Sequence, residues 1–179
     1  MSYRVACELS TKIAAVAPVA ISSGPERCEP SRPVPIFHVQ GSADPCAPLK
    51  GGTCGGCFER YFQAMFFIKP RKDGRWQCPS VPETLDKWRQ INGCSRQTKS
   101  THRHGDTHCE QIVGCKENAD IELCVVDGGG HTWPGGSSPN VKCEKNSDRR
   151  ACRLYDQIVG KTSEDFDASE MMWKFFTAH

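Results

Sequence analysis

The chain has 179 residues, of which 37% are hydrophobic, and a formal net charge of +2 with acidic and basic residues interspersed. This length fits one domain with room for a core, and the balanced charge argues against nucleic acid or an anionic membrane surface as a partner. No apolar run approaches the ~20 residues that a membrane-spanning helix needs.

Twelve cysteines are spread along the chain instead of being gathered into sets of metal ligands. An even and dispersed set is typical of a secreted, extracellular protein with several disulfides. A secreted protein should carry a signal sequence, but residues 1–4 lead into a helical pattern and not into an apolar stretch. We therefore expect the signal sequence to lie upstream of Met1.

The first part of the chain predicts a short helix and two strands. Residues 2–11 place apolar side chains on one helical face, with no Gly or Pro to interrupt it. Residues 13–20 are small and apolar, and residues 34–40 form an apolar run with a proline near its start, so both predict buried strands. The second strand leads into a turn of small residues that carries Asp44.

The segment at about 50–79 is irregular and rich in cysteine, and it has the form of an insertion. Its aromatic residues indicate either a lid over a substrate cleft or, as the favoured alternative, a disulfide-pinned insertion that packs them inward: Phe58, Tyr61, Phe62, Phe66 and Phe67. Cys54 and Cys57 fit a redox pair or half of a zinc site, but disulfides are favoured because no second pair has matching spacing. Further possible ligands lie in a polar region where histidines are usually solvated: His102, His104, His108 and Cys109.

Two helices are predicted in the second half of the chain. Ser80 and Glu83 form a capping box, and Gly93 is the stop signal after an apolar face made of Leu85, Trp88 and Ile91. The final segment, residues 162–179, is the clearest helix, with Ser163 or Asp165 as its cap. The apolar face of this final helix consists of Met171, Met172, Phe175 and Phe176. Alternating strands and helices indicate an α/β layer architecture.

Residues 94–120 are polar and turn-prone, and they contain one arm of a probable hairpin. Residues 107–113 are expected to pair with residues 121–126. The hairpin and its surroundings suggest three disulfides within reach of the geometry that a bridge requires: Cys109 with Cys124, Cys94 with Cys115, and Cys143 with Cys152.

The most informative stretch follows the last predicted strand. Residues 121–127 lead into three glycines and then His131, and tight loops at the carboxyl ends of strands are where α/β sheets keep their active sites. A histidine that acts as a general base needs a carboxylate to orient it and a hydroxyl or thiol to activate. Asp44, in the turn after the earlier strand, is the candidate carboxylate.

The nucleophile has no such candidate, because no Gly-x-Ser-x-Gly elbow occurs in the 179 residues. Ser42 and the cysteines are the residues to test first if the chain alone proves active. Taken singly, Asp44 also fits a plain turn residue and His131 a plain loop histidine, but their order and placement together favour catalysis. Trp133 is expected either to line a substrate cleft or to pack in the core beside Pro134.

Several segments, in the same order, resemble the C-terminal part of the polyhydroxybutyrate depolymerase/feruloyl esterase family of secreted α/β-hydrolases. The most specific is Gly-Gly-Gly-His-Thr-Trp-Pro-Gly at residues 128–135. The others are MSYRVACELS at 1–10 with IAAVAPVA at 13–20, PVPIFHVQGSAD at 33–44, SVPET at 80–84 with NGC at 92–94, and SEDFDA at 163–168.

The resemblance implies that residues 1–179 are a single partial domain, the C-terminal half of a three-layer α/β-hydrolase fold with an incomplete sheet. It implies ester hydrolysis through an acyl-enzyme, with Asp44 and His131 on the family's triad positions and the serine a few residues upstream of Met1. The substrate would be a small ester, a polyester or a plant cell-wall ester, and no metal or organic cofactor is implied.

Two departures from the family pattern shape these expectations. The insertion at about 50–79 leaves the substrate preference open, and the missing elbow and earlier strands make the 179 residues alone an inactive fragment. The alternative is a secreted, non-catalytic binding domain derived from a hydrolase. A redox protein built on Cys54 is disfavoured, because the residues before it do not predict a strand that leads into a helix.

Overall fold

The computed structural model describes residues 1–59, 76–136 and 150–179, without the side chains of residues 150 and 151. The strands in these ranges are β1 (Ile36–Gly41), β2 (Gly52–Cys54), β3 (Trp76–Cys78), β4 (Thr98–His104), β5 (Thr107–Ile112) and β6 (Ile121–Val126). The helices are α1 (Ser2–Glu8), α2 (Val81–Ile91), α3 (Arg150–Val159) and α4 (Ala168–Thr177), with 3₁₀ turns at Ser10–Lys12 and Lys116–Asn118. Across the same described ranges, no helix combines the length and the apolar character that spanning a membrane requires.

The main sheet of the described part has the strand order β1-β6-β5-β4, and β2 pairs with β3 in a second, two-stranded sheet. The β1 and β6 strands run parallel, in a register that pairs Ile36 with Ile121 and Gly41 with Val126. Every residue of β1 is buried, as is typical of a parallel strand covered on both faces. Because β1 and β6 end together, the loops that follow them leave the sheet at the same edge.

Two apolar cores lie on opposite faces of β1, because successive side chains of a strand point to opposite sides. On one face Ile36 packs with buried residues of α1 and α2: Tyr3, Ala6, Val81, Leu85 and Trp88. On the other face Phe37 and Val39 pack with buried residues of α4 and the loop before it: Phe166, Ala168, Met172 and Phe175. Helices therefore cover the sheet on both sides, which confirms the expected α/β layering.

Residues 13–20 lie beside β1 as expected, but they do not form a regular strand. Parallel bridges join Val16 to Ile36 and Val19 to Val39. Between them lies Pro18, whose carbonyl accepts from Val39 N at 3.0 Å but which has no N–H to donate. The proline therefore interrupts the ladder and leaves two isolated bridges.

The β4 strand was not predicted, because residues 94–120 lack the alternation that marks a half-buried strand. Its seven residues are exposed except for the half-buried His102. It forms the edge of the sheet in this part of the chain, paired on one side with β5, so neither face requires apolar side chains. The predicted pairing of β5 with β6 is confirmed, and it runs from Thr107 opposite Val126 to Ile112 opposite Ile121.

The predicted caps of α2 and α4 had different outcomes. The capping box of α2 is confirmed: Ser80 Oγ accepts from Glu83 N at 3.2 Å, and Glu83 Oε2 accepts from Ser80 N at 2.8 Å. The expected cap of the last helix was wrong, because Asp167 caps it by accepting from Glu170 N at 3.0 Å. Ser163 instead donates to Asp106 at 2.5 Å, a contact that sequence spacing does not indicate. The first helix also ends earlier than expected, at Glu8, before the 3₁₀ turn.

Five disulfides join cysteines of the described ranges: Cys7–Cys28, Cys46–Cys57, Cys54–Cys78, Cys94–Cys115 and Cys109–Cys124. The last two were predicted and are confirmed. Cys54 and Cys57 bond to different partners, so the favoured interpretation of these cysteines as disulfide-bonded is confirmed. The alternatives, a redox pair or half of a zinc site, are wrong. Cys152 is also disulfide-bonded, whereas its predicted partner Cys143 lies outside the described residues and that pairing stays a prediction.

Candidate active site

The turn after β1 folds around the carboxylate of Asp44. Its Oδ1 accepts from the backbone N–H groups of Cys46 and Ala47 at 2.7 and 2.8 Å. Aspartate side chains commonly bind the backbone two residues further on, and this makes them good turn formers. The side chain of Asp44 is completely shielded from solvent, so the turn both buries and orients it.

The loop after β6 reaches His131 through glycines that allow backbone to pack on backbone. A Cβ on Gly130 would lie 1.8 Å from the carbonyl oxygen of Val159, and one on Gly41 would lie 2.3 Å from that of Gly129. His131 N donates to the same Val159 carbonyl, next to the hydrogen bond from Gly130 N to Lys161 O at 2.9 Å. These close contacts and hydrogen bonds constrain the backbone of the loop and so fix the position of His131.

Asp44 and His131 meet at this edge of the sheet. His131 Nδ1 lies 2.9 Å from Asp44 Oδ2, and the imidazole is 31% exposed. A carboxylate beside one ring nitrogen favours the tautomer with a proton on Nδ1, which leaves the lone pair of Nε2 free to accept a proton. The two residues are thus arranged as an orienting acid and a general base.

A cavity of about 390 Å³ lies beside His131 and is lined by residues of several segments, among them Val19, Ala20, Trp133, Tyr155 and Val159. Trp133 is 46% exposed and donates from Nε1 to Ser169 Oγ at 3.0 Å, so it is not a core aromatic. Phe58 contacts the His131 ring edge-on, with 6.2 Å between centroids, and lies 6.3 Å from the Tyr155 ring. The other aromatic residues expected with Phe58 lie outside the described residues.

Sequence reasoning missed a buried polar chain behind Asp44. Gln40 Nε2 lies 3.1 Å from Asp44 Oδ2, and Gln40 Oε1 lies 3.2 Å from His38 Nε2. His38 Nδ1 in turn lies 2.6 Å from the Tyr3 hydroxyl. The signal in the sequence was present: His38 and Gln40 alternate within an otherwise apolar strand, so both point to the same face.

Burial determines the protonation states of His38 and Tyr3. It lowers the pKa of His38 to about 4 and raises the pKa of Tyr3 above its ordinary value, because desolvation disfavours the charged form of each group. The hydrogen bond between His38 and the oxygen of the Gln40 amide acts in the opposite direction on the pKa of His38 and is the smaller effect. Both groups are therefore neutral at neutral pH.

Possible metal ligands in the described ranges do not form a complete set. The two groups of close ligand atoms are Asp44 with Cys46 and His131, and Cys109 with Glu122 and Cys124. Each contains cysteines whose sulfurs are in disulfides, whereas a cysteine binds metal as a thiolate. Among the described residues, neither group contains any of the histidines considered as ligands, which are His102, His104 and His108.

In the described part of the chain, no serine, threonine or cysteine is hydrogen-bonded to the His131 ring. Ser42 Oγ accepts from Gly128 N at 2.8 Å and so holds the loop after β6. No free cysteine occurs among the described residues. These residues therefore provide an acid and a base without a nucleophile in contact with them.

Comparison with known proteins indicates the class of protein. No protein-family model matches the chain, but two curated proteins that are named esterases are similar to it. The chain is thus similar to carboxylic ester hydrolases, although it spans less than half the length of these relatives.

The similarity to each of the two relatives extends over more than two thirds of this chain. One is feruloyl esterase B of Piromyces equi, which is 27% identical over 136 residues, covering 73% of this chain and 22% of that protein. The other is a protein named Putative esterase NocK, of Nocardia uniformis subsp. tsuyamanensis, which is 26% identical over 147 residues, covering 78% of this chain and 40% of that protein.

Proposed function

We propose that this chain supplies the acid and the base of a serine esterase, with a nucleophilic serine that lies upstream of Met1. The observation that carries the proposal is the 2.9 Å contact between Asp44 Oδ2 and His131 Nδ1, at the edge where β1 and β6 end together. The esterase names of both relatives support it.

The fold that fits this proposal is the C-terminal half of an α/β-hydrolase, with residues 1–179 as one partial domain and an insertion at about 50–79. In α/β-hydrolases the triad follows the chain order serine, acid, histidine, and Asp44 precedes His131. In this arrangement α1 follows the turn that carries the serine, and residues 13–20 form the strand next to β1, as their parallel bridges to β1 support.

The proposed reaction passes through an acyl-enzyme. The serine oxygen attacks the ester carbonyl carbon while His131 Nε2 takes the serine proton, and Asp44 stabilises the imidazolium. Backbone N–H groups hold the oxyanion, each contributing about 3–4 kcal/mol. His131 then gives the proton to the alcohol oxygen as the C–O bond breaks. A water molecule that His131 deprotonates hydrolyses the acyl-serine, and the proton returns to the serine.

The proposed substrates are esters with an aromatic acyl group, such as hydroxycinnamoyl esters of the plant cell wall, with Trp133 as a substrate-binding residue. The support is the cavity of about 390 Å³ beside His131, a size suited to a small ligand. Its wall includes Trp133 and Tyr155, and the Phe58 ring contacts the base. Short aliphatic esters and polyesters are the competing substrates. The disulfides agree with an extracellular enzyme.

The experiment is to express the chain with its native upstream sequence and to measure release of ferulate from methyl ferulate. His131→Ala and a serine-directed inhibitor should each abolish turnover, while the 179 residues alone should show none. His108→Ala is the matched control, because His108 also lies next to an aspartate, Asp127 at 3.5 Å, but it is in β5 and does not line the cavity beside His131. Turnover that survives His131→Ala would refute the proposal, and a longer protein without any esterase activity would favour the binding-domain alternative.

A further inference from the structure

Three polar side chains, Tyr3, His38 and Gln40, lie buried beside the sheet and are joined by hydrogen bonds. His38 and Gln40 are both fully buried in β1, and Tyr3 is 1% exposed. Burying such groups is unfavourable unless their hydrogen bonds are satisfied. Here each one is satisfied by the next, and the last one contacts the carboxylate of Asp44.

The orientation of the Gln40 amide is fixed by its partners. Gln40 Nε2 lies 2.8 Å from the carbonyl oxygen of Ala47 and 3.1 Å from Asp44 Oδ2. Both partners are acceptors, so the nitrogen must face them, because a flipped amide would place its oxygen against two other oxygens. Gln40 Oε1 is therefore the atom that faces His38.

This orientation fixes the direction of every other hydrogen bond in the chain. Gln40 Oε1 can only accept, so His38 Nε2 carries a proton and donates it. A neutral imidazole has one proton, so His38 Nδ1 accepts from the Tyr3 hydroxyl. The direction of donation thus runs from Tyr3 on α1, through β1, to the carboxylate of Asp44.

Within the described ranges the Asp44 carboxylate has four hydrogen-bonding partners, and all four are donors. Oδ1 accepts from the two backbone N–H groups of its turn, and Oδ2 accepts from Gln40 and from His131. The oxygen that orients the base is thus shared with one other side chain, Gln40. That side chain is held in place by Ala47 and His38.

We infer that Tyr3, His38 and Gln40 are positioning residues, which act through Asp44 to hold the oxygen that accepts the His131 Nδ1 proton. The inference rests on the proposed function for its catalytic meaning. It extends that function because the hydrogen bonds connect Tyr3 in α1 to Asp44, the proposed acid. The α1 helix is the one proposed to follow the serine. None of the three touches the reacting atoms.

The test is a spectroscopic measurement on the 179-residue protein that does not depend on activity. The probe is the proton NMR resonance of His131 Nδ1–H, assigned by its loss in His131→Ala. Tyr3→Phe and Gln40→Leu should shift or broaden this resonance, because each breaks the chain that holds Asp44 Oδ2. An unchanged resonance in both folded variants would overturn the inference.

Two matched controls separate positioning from loss of stability. Thr84→Val deletes one buried hydroxyl donor, as Tyr3→Phe does, because Thr84 Oγ1 donates to Ser22 O at 2.6 Å. Asn92→Leu deletes three buried hydrogen bonds to backbone groups, as many as Gln40→Leu does. Both controls should leave the His131 resonance in place. If the His131 resonance changes equally in the controls and in Tyr3→Phe and Gln40→Leu, the role of these residues is merely structural and the inference is overturned.

An activity measurement in the longer protein distinguishes this inference from the proposed function. Gln40→Leu should lower kcat on the order of tenfold to a hundredfold with little change in KM, as expected from misplacing a catalytic group, while Thr84→Val leaves kcat within about twofold. If the His131 resonance responds to Gln40→Leu but the longer protein has no esterase activity, the proposed function is refuted and the positioning role of Gln40 stands. Activity that requires His131 but not Gln40 refutes the positioning chain alone.

Discussion

Cys46 and Cys57 form a disulfide that links the turn of Asp44 to the segment of Phe58, and both Asp44 and Phe58 contact the His131 ring. On one side, Cys46 N donates to Asp44 Oδ1 at 2.7 Å. On the other side, Phe58, the neighbour of Cys57, contacts the ring of His131 edge-on. The same covalent bond therefore anchors the loop that presents the acid and the aromatic wall beside the proposed base.

Removing this disulfide should impair both stability and activity. Cys46→Ala combined with Cys57→Ala is expected to lower the free energy of unfolding by about 2–4 kcal/mol. In the active longer protein it should also lower kcat on the order of tenfold, because the acid and the wall lose their common anchor. Denaturant unfolding and ester hydrolysis measure the two effects.

The matched control is Cys94→Ala combined with Cys115→Ala, since this disulfide lies at the end of α2. It should lower stability by a similar amount and leave kcat within about twofold once the protein is folded. Equal effects of both double variants on kcat would contradict the anchoring role of the first disulfide.

Asp44→Asn should abolish most of the proposed activity while preserving the shape of the site. An amide in place of the carboxylate favours the wrong tautomer of His131, and the corresponding change in serine proteases lowers kcat about 10⁴-fold. Hydrolysis of methyl ferulate by the longer protein is the measurement. A variant with more than a tenth of the original kcat would show that Asp44 is a turn residue and not the acid.

Gly130→Ala tests whether the close backbone packing of the loop after β6 holds His131 in place. Its Cβ would lie 1.8 Å from Val159 O, so the loop must move, at an expected cost of about 1–3 kcal/mol in the free energy of unfolding. Gly128→Ala is the control: no atom lies within 4 Å of its Cβ, and its φ of +71° adds only the left-handed penalty of about 1–2 kcal/mol. His131 should lose its contact with Asp44 in the first variant alone, and NMR of the ring would show this.

The pKa of His38 predicts how stability changes with pH. Burial lowers it from 6.5 to about 4, so below pH 6.5 the unfolded chain binds a proton that the folded protein does not. The folded state should therefore lose about 3 kcal/mol as the pH falls from 6.5 to 4. Denaturant unfolding across this range measures the loss.

His38→Asn should flatten this pH dependence, because the titrating group is removed. His104→Ala is the control, since His104 is exposed at the end of β4 and should leave the slope unchanged. A wild-type stability that stays constant between pH 6.5 and 4 would contradict the assignment of His38 as a buried neutral imidazole.

Local features were predictable because a few neighbouring residues determine them. Ser80 and Glu83 can cap a helix whatever lies around it, and three successive glycines before His131 predict a turn from their conformational freedom alone. The pairing of β5 with β6 follows from their closeness in sequence, and this closeness also brought Cys109 opposite Cys124. The order and loop positions of Asp44 and His131 were likewise readable from the chain.

Only the tertiary structure decided the features that depend on distant contacts. The partners of Cys54 and Cys57 and the exposed strand β4 leave no distinctive local pattern, because each depends on what another segment places beside it. The cap at Asp167 is a local contact with Glu170, but Ser163 and Asp165 are competing cap signals just before it. The chain from Tyr3 to Asp44 is the clearest case. The sequence shows only that His38 and Gln40 share one face of an apolar strand. The direction of donation from Tyr3 to Asp44 exists because folding removes water and leaves these groups one another as partners.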